Sequence, residues 1–170
     1  MDLSPQTELY FIRHGIAAER GTYAKDEERP LTEKGRSRTE SVAWRLQTLD
    51  CKVDCILSSP LVRAQQTAGI LLDIGLSATS EILDDLAPEG SLQTWLPWLA
   101  NWQTQHPRSC LALVGHEPNL SHWAQELVTG QVSDRWILKK AGVIGVSVPA
   151  AADAIGQSQL FWLAPPRLLL

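Results

Sequence analysis

The chain has 170 residues, with 15 Lys and Arg against 19 Asp and Glu, a formal net charge of -4. That balance excludes a general nucleic-acid binder, which needs a basic face, but leaves room for a small local positive well. With 44% hydrophobic and 20% charged residues the composition is that of a soluble globular protein, and the length suits one domain, residues 1–170, with a real core. No run approaches the length of a membrane span, and residues 1–7 are polar, without the basic-then-apolar pattern of a signal. Cys51, Cys55 and Cys110 are an odd number of cysteines with no metal-type pairing. They read as reduced thiols of a cytoplasmic protein, with Cys51 and Cys55 buried as small hydrophobes.

In chain order, Leu9 to Ile12 is a short apolar run rich in strand formers, and it ends in Arg13-His14-Gly15. It predicts a buried strand running out to a polar tip, with Gly15 free to turn and to let the backbone approach a ligand. A polar loop follows to Pro30, carrying Arg20, Lys25 and Arg29 beside Asp26, Glu27 and Glu28. Thr32 caps a helix reaching roughly to Leu49, with Val42, Leu46 and Leu49 on its apolar face and Gly35 weakening its first turn. Val53 to Leu57 predicts a second strand, ending in Ser58-Ser59-Pro60. Ser59 as cap and Pro60 as first helical residue would start a helix there, with Arg63 in or near its first turn, beside free backbone N–H groups that favour an anion.

Thr79 to Leu83 predicts a third strand, followed by Asp84 and Asp85. From Leu92 to Trp102, a run with three tryptophans, apolar residues recur at i, i+3, i+4, i+7 and i+10, Trp95 and Trp102 among them, which marks an amphipathic helix packed on the core. Ser109 to Val114 is a fourth strand ending in Gly115-His116-Glu117-Pro118, before a helix from about Leu120 to Val128. His106, at a helix end, and His122, within a helix, read as structural. Val143–Val148 and Gln159–Leu163 predict a hairpin on one sheet edge, and the tail from Pro165 to Leu170 packs along the surface. The alternation of strand and helix predicts an α/β fold, a three-layer α/β/α sandwich whose mostly parallel sheet has an antiparallel edge.

Ligands in open α/β sheets sit outside the carboxyl ends of the strands. Three such places offer Arg13 with His14, Arg63, and His116. Two arginines and two histidines in one pocket suit a phosphate: arginine donates two parallel hydrogen bonds to its oxygens, and histidine can attack phosphorus as a nucleophile.

Arg13-His14-Gly15 resembles the R-H-G signature of the histidine phosphatase superfamily, the phosphoglycerate-mutase-like fold. The run from Ser58 to Ala68 resembles its S-x-x-x-R-A-x-Q-T motif, and Gly115-His116 its late G-H motif, in the same order and spacing. Arg29-Pro30-Leu31-Thr32-Glu33-Lys34-Gly35, Leu86-Ala87-Pro88-Glu89-Gly90 and the ending Trp162-x-Leu-x-Pro are similar to the short phosphohistidine phosphatase branch, SixA. The resemblance implies a phosphatase with His14 as the nucleophile, Arg13 and Arg63 clamping the phosphoryl oxygens, His116 holding another, the backbone N–H of Glu117 adding a donor, and Arg29 reaching the pocket rim. It implies no metal and no other cofactor, and a phosphoprotein substrate, such as a histidine phosphotransfer protein, or a small phosphorylated molecule as the partner.

Two positions depart from the pattern. Ile16 stands where many relatives of this branch have an acidic residue. Leu86-Ala87-Pro88 stands where mutase-type relatives carry the L-x-E glutamate that protonates an alkoxide leaving group, so the usual acid is absent, with Asp84, Asp85 and Glu89 nearby. An alkoxide needs that proton, whereas the imidazole of a phosphohistidine leaves readily once protonated. The sequence therefore favours phosphohistidine. A small-molecule phosphomonoesterase and a non-catalytic phosphate-binding adaptor are the alternatives.

Overall fold

The computed structural model describes residues 5–170; the expectation that residues 1–7 carry no signal falls partly outside them. Six strands form one sheet: β1 (Gln6–Arg13), β2 (Cys55–Ser58), β3 (Ser80–Ile82), β4 (Arg108–Gly115), β5 (Val143–Val148) and β6 (Gln159–Ala164). Their order across the sheet is β3-β2-β4-β1-β5-β6. The first four are mutually parallel, and β5 and β6 add the antiparallel edge.

Period-two alternation sorts the strand side chains between two layers. Leu9 and Phe11 of β1 pack on one face with α3 (Leu92–Gln105) and α4 (Asn119–Thr129), through Trp95, Leu99, Leu120 and Trp123. Ile12 packs on the other with α1 (Glu33–Thr48) and α2 (Val62–Asp73), through Val42, Leu46, Ala64 and Leu71. The architecture is therefore the three-layer α/β/α sandwich expected from the sequence. Among the described residues, no helix is long and apolar enough to cross a membrane.

The tryptophan helix is core, as its spacing predicts. Trp95 is fully buried and stacks on Trp123 at 5.7 Å and Trp98 at 6.2 Å between ring centroids. Trp98 and Trp102 continue the stack at 5.5 Å, and His106 ends it on Trp102 at 3.9 Å, so His106 is structural. His122, on α4, bonds Asp134 at the surface. The cysteines are free: Cys55 is buried, Cys51 and Cys110 half-buried, and burial pushes the Cys110 thiol up to about 12. In the tail, Pro166 and Leu169 are buried and Leu168 and Leu170 exposed.

Three local readings are corrected. Helix α2 begins at Val62 with Leu61 as its cap, not at Pro60. The Ser59 hydroxyl accepts from the Leu61 N–H but is also committed to His116, so the chain spends two further residues before turning helical. Strand β3 shortens to Ser80–Ile82, exposed at the sheet edge. Gly15 does not use the left-handed backbone region. Its missing Cβ is needed for contact: an added Cβ would lie 2.4 Å from Thr39 Oγ1 of α1.

Gly35, which weakens α1 by propensity, is required for the same reason. A Cβ there would stand 2.0 Å from the backbone oxygen of Ile16. That oxygen accepts the Thr32 N–H at 2.9 Å, while Thr32 Oγ1 caps the helix by accepting from the Gly35 N–H at 3.0 Å. The segment after Gly15 thus lies flat on the first turn of α1. Gly35→Ala should lower stability by about 1–3 kcal/mol, because backbone, not a pliant side chain, must move. Gly69→Ala, mid-helix in α2 with nothing within 4 Å of an added Cβ, should raise it by about 0.5–1 kcal/mol. Urea unfolding of the two variants beside wild type checks both signs.

Candidate active site

Strands β1 and β4 pair in parallel up to their last residues, Arg13 opposite Gly115. Beyond that point the chain leaves β1 toward α1 on one face and leaves β4 toward α4 on the other. This divergence is the switch point at which α/β sheets open a crevice. It places His14 and His116 side by side, ring centroids 5.2 Å apart, with both residues buried. The His14 N–H donates to the Gly115 carbonyl at 3.0 Å, fixing the two strand ends together.

Each imidazole has one nitrogen committed. His14 Nδ1 lies 2.7 Å from the Gly15 carbonyl oxygen. A carbonyl only accepts, so Nδ1 carries the proton and Nε2 keeps its lone pair. His116 Nε2 lies 2.7 Å from Ser59 Oγ, and its Nδ1 is buried without a partner. The Gly15 N–H donates to Thr67 Oγ1 at 3.0 Å, and that hydroxyl donates to the Arg63 carbonyl at 2.8 Å. Thr67 thereby ties the turn carrying His14 to the helix carrying Arg63.

The arginines are held at their ends. Arg63 is buried and donates through Nη1 to the Asp26 carbonyl at 2.8 Å and through Nη2 to its carboxylate at 2.9 Å. The same carboxylate accepts from Arg29 Nε at 2.7 Å, and Arg29 Nη1 donates to the Ala18 carbonyl at 2.7 Å. Asp26 is thus the shared counter-ion of two buried guanidiniums. The hydrogen bond from Arg29, then the charge of Arg63, holds its carboxyl below the ordinary range. Arg13 Nη1 donates to the Leu138 carbonyl at 2.9 Å.

Among the described residues, five buried side-chain nitrogens have no partner, and three of them are Arg13 Nε, Arg63 Nε and His116 Nδ1. Buried polar nitrogens are normally satisfied, and the three residues that bear these line one cavity, which marks it as a place built for a polar ligand. All six residues singled out from the sequence, Arg13, His14, Arg29, Arg63, His116 and Glu117, line one cavity of about 450 Å³. The Glu117 carboxylate itself turns away, accepting from the Ser121 N–H at 3.0 Å and the Ser121 hydroxyl at 2.8 Å. Among the described residues no three His, Cys, Asp or Glu side chains gather as a metal site.

Of the acids near the missing L-x-E glutamate, Glu89 lines the cavity mouth, exposed, whereas Asp85 accepts from the Thr94 hydroxyl at the start of α3 and does not line it. Asn119 Nδ2 clasps the loop bearing Glu89, donating to the Pro88 carbonyl at 2.8 Å. Asp26 and Lys140 are among the lining residues to which the sequence assigns no role. Asp26 sits in a 3-10 turn that the polar loop gave no hint of. Lys140 was legible in principle. Strand β5 runs antiparallel to β1, so the residues just before it must lie at the carboxyl end of β1, and the Ala141 N–H indeed donates to the Arg13 carbonyl at 3.0 Å.

A profile of the histidine phosphatase superfamily, branch 1, matches residues 9–95. A protein of uncharacterized function from Picosynechococcus is 48% identical over 164 residues, spanning 96% of this chain and 99% of its own. The phosphohistidine phosphatase SixA of Escherichia coli is 29% identical over 125 residues, 73% of this chain and 76% of its own. The solved structure of the protein histidine phosphatase SixA complexed with tungstate superposes with a TM-score of 0.83 at 24% identity, covering 96% of this chain and 99% of that one. The chain belongs to the histidine phosphatase superfamily, a family of phosphatases, and its fold is the phosphoglycerate-mutase-like fold of SixA.

Burial, reinforced by the neighbouring imidazole and arginines, holds the pKa of His14 down to about 3, against the opposing pull of the Gly15 carbonyl. Burial and Arg63 hold His116 down to about 4. Both are neutral at pH 7 in the free protein. Below the ordinary histidine pKa of about 6.5 the unfolded chain therefore binds protons that the folded one refuses. The stability these imidazoles allow is complete above about pH 6.5 and falls as the pH drops toward the two folded values. Urea midpoints at about pH 7 and about pH 4.5 should show that loss in wild type and a smaller loss in His14→Asn/His116→Asn; equal losses would mean that other groups carry it.

Proposed function

We propose that the chain, residues 1–170 acting as one histidine phosphatase domain, is a phosphohistidine phosphatase of the SixA kind, and that its substrate is a phosphoprotein of the cytoplasm. The observation carrying this reading is the buried, neutral His14, whose Nδ1–H is spent on the Gly15 carbonyl so that Nε2 holds a lone pair among Arg13, Arg63 and His116.

In the proposed reaction the phosphoryl group enters among the unpartnered nitrogens of Arg13, Arg63 and His116. Those donors meet charge on its equatorial oxygens. His14 Nε2 attacks phosphorus in line and a new P–N bond forms while the substrate's P–N bond breaks, its electron pair returning to an imidazole that is protonated on its other ring nitrogen and so departs neutral. Water then attacks the phosphorus of phospho-His14, the P–Nε2 bond breaks with its electron pair returning to Nε2, water's proton passes to solvent, and inorganic phosphate leaves. In this scheme Ser59 donates its proton to His116 Nε2, which leaves Nδ1–H free to donate to the phosphoryl oxygen. Asp26 holds Arg63 and Arg29 in place, and the Glu117 backbone borders the same pocket.

Preference for phosphohistidine follows from where the carboxylates stand. Asp26 is consumed by two arginines and Glu117 by Ser121. Neither is free to protonate an alkoxide, and Leu86-Ala87-Pro88 supplies no glutamate. A second reading, a small-molecule phosphomonoesterase, is favoured by one residue: Glu89 lies at the mouth with its carboxylate unpaired and would be the acid.

Phosphate release should be measured from a histidine-phosphorylated phosphotransfer domain and from p-nitrophenyl phosphate. The first should be fast and the second slow, with His14→Ala lowering turnover by about a thousandfold or more while leaving the protein folded. Activity near wild type in His14→Ala would remove the nucleophile. Preference for the monoester, lost in Glu89→Gln, would establish the second reading. Turnover of neither, with tight phosphate binding, would favour a phosphate-binding adaptor.

A further inference from the structure

Beside the phosphate pocket lies a second, larger concavity of about 820 Å³, which shares Arg13 and Lys140 with it. Its other charged residues are Arg38, Arg135, Lys139 and Arg167. Six of the chain's 15 basic residues thus line one groove, in a protein of net charge -4, and no carboxylate lines it. Among the described residues none of the six forms a salt bridge.

Unpaired like charges repel, and proteins normally intersperse acids among them. Here the repulsion is retained. Arg13 and Arg38 also each keep a buried Nε without a partner. Burial, and then the charges of Arg13, Arg29, Arg63 and Arg20, pull the Lys140 pKa down. The floor, by contrast, is apolar. Ile137 is 65% exposed and Leu163 40% exposed, with Pro165 beside them. A lone phosphate needs neither this volume nor that floor.

We propose that this groove holds an acidic segment of the phosphoprotein substrate, one with apolar side chains among its Asp and Glu residues, next to the phosphorylated residue. The proposal rests on the phosphatase reading for its geometry, since Arg13 and Lys140 face both the phosphoryl group and the segment. Charge complementarity identifies the partner, and the apolar floor separates a protein segment from a bare polyanion. The groove would then select substrate by speeding encounter and fixing its orientation, leaving the chemistry to the pocket.

The test uses the full chain and a triple variant, Arg135→Glu/Lys139→Glu/Arg167→Glu. All three side chains are exposed, so the fold should be kept, which a thermal melt verifies. Against a histidine-phosphorylated phosphotransfer domain with an acidic surface, kcat/KM should fall about tenfold or more, and wild-type kcat/KM should fall steeply with added salt. Against free phosphohistidine the variant should match wild type. Equal loss on both substrates, or none on either, overturns the proposal.

A fluorescent peptide of alternating Glu and Leu, about a dozen residues long, read by anisotropy at low salt, tests the groove without turnover. It should bind wild type and be lost in the variant. If it does so while neither phosphohistidine substrate is hydrolysed, the phosphatase reading fails and the groove stands. If a single-stranded oligonucleotide binds as tightly as the peptide with the same loss in the variant, the groove recognises polyanions at large and the proposal fails.

Discussion

The parallel pairing of β1 with β4, carried through to Arg13 and Gly115, is the constraint on which the rest depends. Two adjacent parallel strands whose chains depart to opposite faces must leave a gap between the departing segments, and whatever follows each strand faces that gap. The sequence places an imidazole first after each strand. Their proximity therefore comes from the sheet ladder and needs no dedicated contact between the rings. A strand register is rigid in a way that a loop is not, because slipping it by one residue would turn every core side chain to the wrong face. The spacing of His14 and His116 is as well determined as the core itself.

Around this fixed pair, the remaining groups are brought in by helix starts and by one loop. Arg63 is the second residue of α2, and Thr67 one turn later holds the turn at Gly15. The contact between that segment and α1 is possible only because Gly15 and Gly35 lack side chains. Two glycines in sequence-distant positions thus serve one purpose, backbone approach, and neither serves the flexibility usually credited to glycine. The polar loop contributes Asp26, whose single carboxylate spans Arg29 and Arg63.

Much of this was legible in the sequence, for reasons that differ by element. Strand–helix alternation and the strand ends are set by hydrophobic periodicity, so the sheet, its antiparallel edge and the positions of Arg13, His14 and His116 were readable from residues alone. The motif from Ser58 to Ala68 located Arg63 correctly even though its helix start was misplaced. Ser59 and Pro60 have the local chemistry of a cap, but a tertiary bond to His116 takes the Ser59 hydroxyl away from that role. Asp26 lay hidden because nothing periodic marks a 3-10 turn in a polar loop, and its worth depends not only on Arg29, three residues on, but on Arg63, which only the folded chain brings to it. The basic groove was hidden for a related reason. Its cations come from the end of β1, from α1, from the segment before β5 and from beyond β6, and the overall charge of -4 points away from it.

The electrostatics of the pocket explain how a neutral imidazole, the proposed nucleophile, persists among cations. An imidazole beside two guanidiniums and a second imidazole is doubly discouraged from protonation, by burial and by its neighbours. In the proposed reaction the same surroundings that repel a proton would attract a phosphoryl group, so one arrangement would serve both states of the site. Asp26 keeps that balance from becoming prohibitive, for without a counter-ion two buried guanidiniums would carry uncompensated charge in the folded protein. That carboxylate lies against Arg63 and Arg29 and makes no bond to either histidine; its charge pulls the His116 pKa up only against the larger effects of burial and Arg63, which still hold that imidazole low. In the proposed reaction the arriving dianion alters this balance at the reacting atoms themselves. It adds negative charge beside His116, raises the tendency of that imidazole to keep its proton, and so strengthens the donor facing the phosphoryl oxygen at the step where charge builds there.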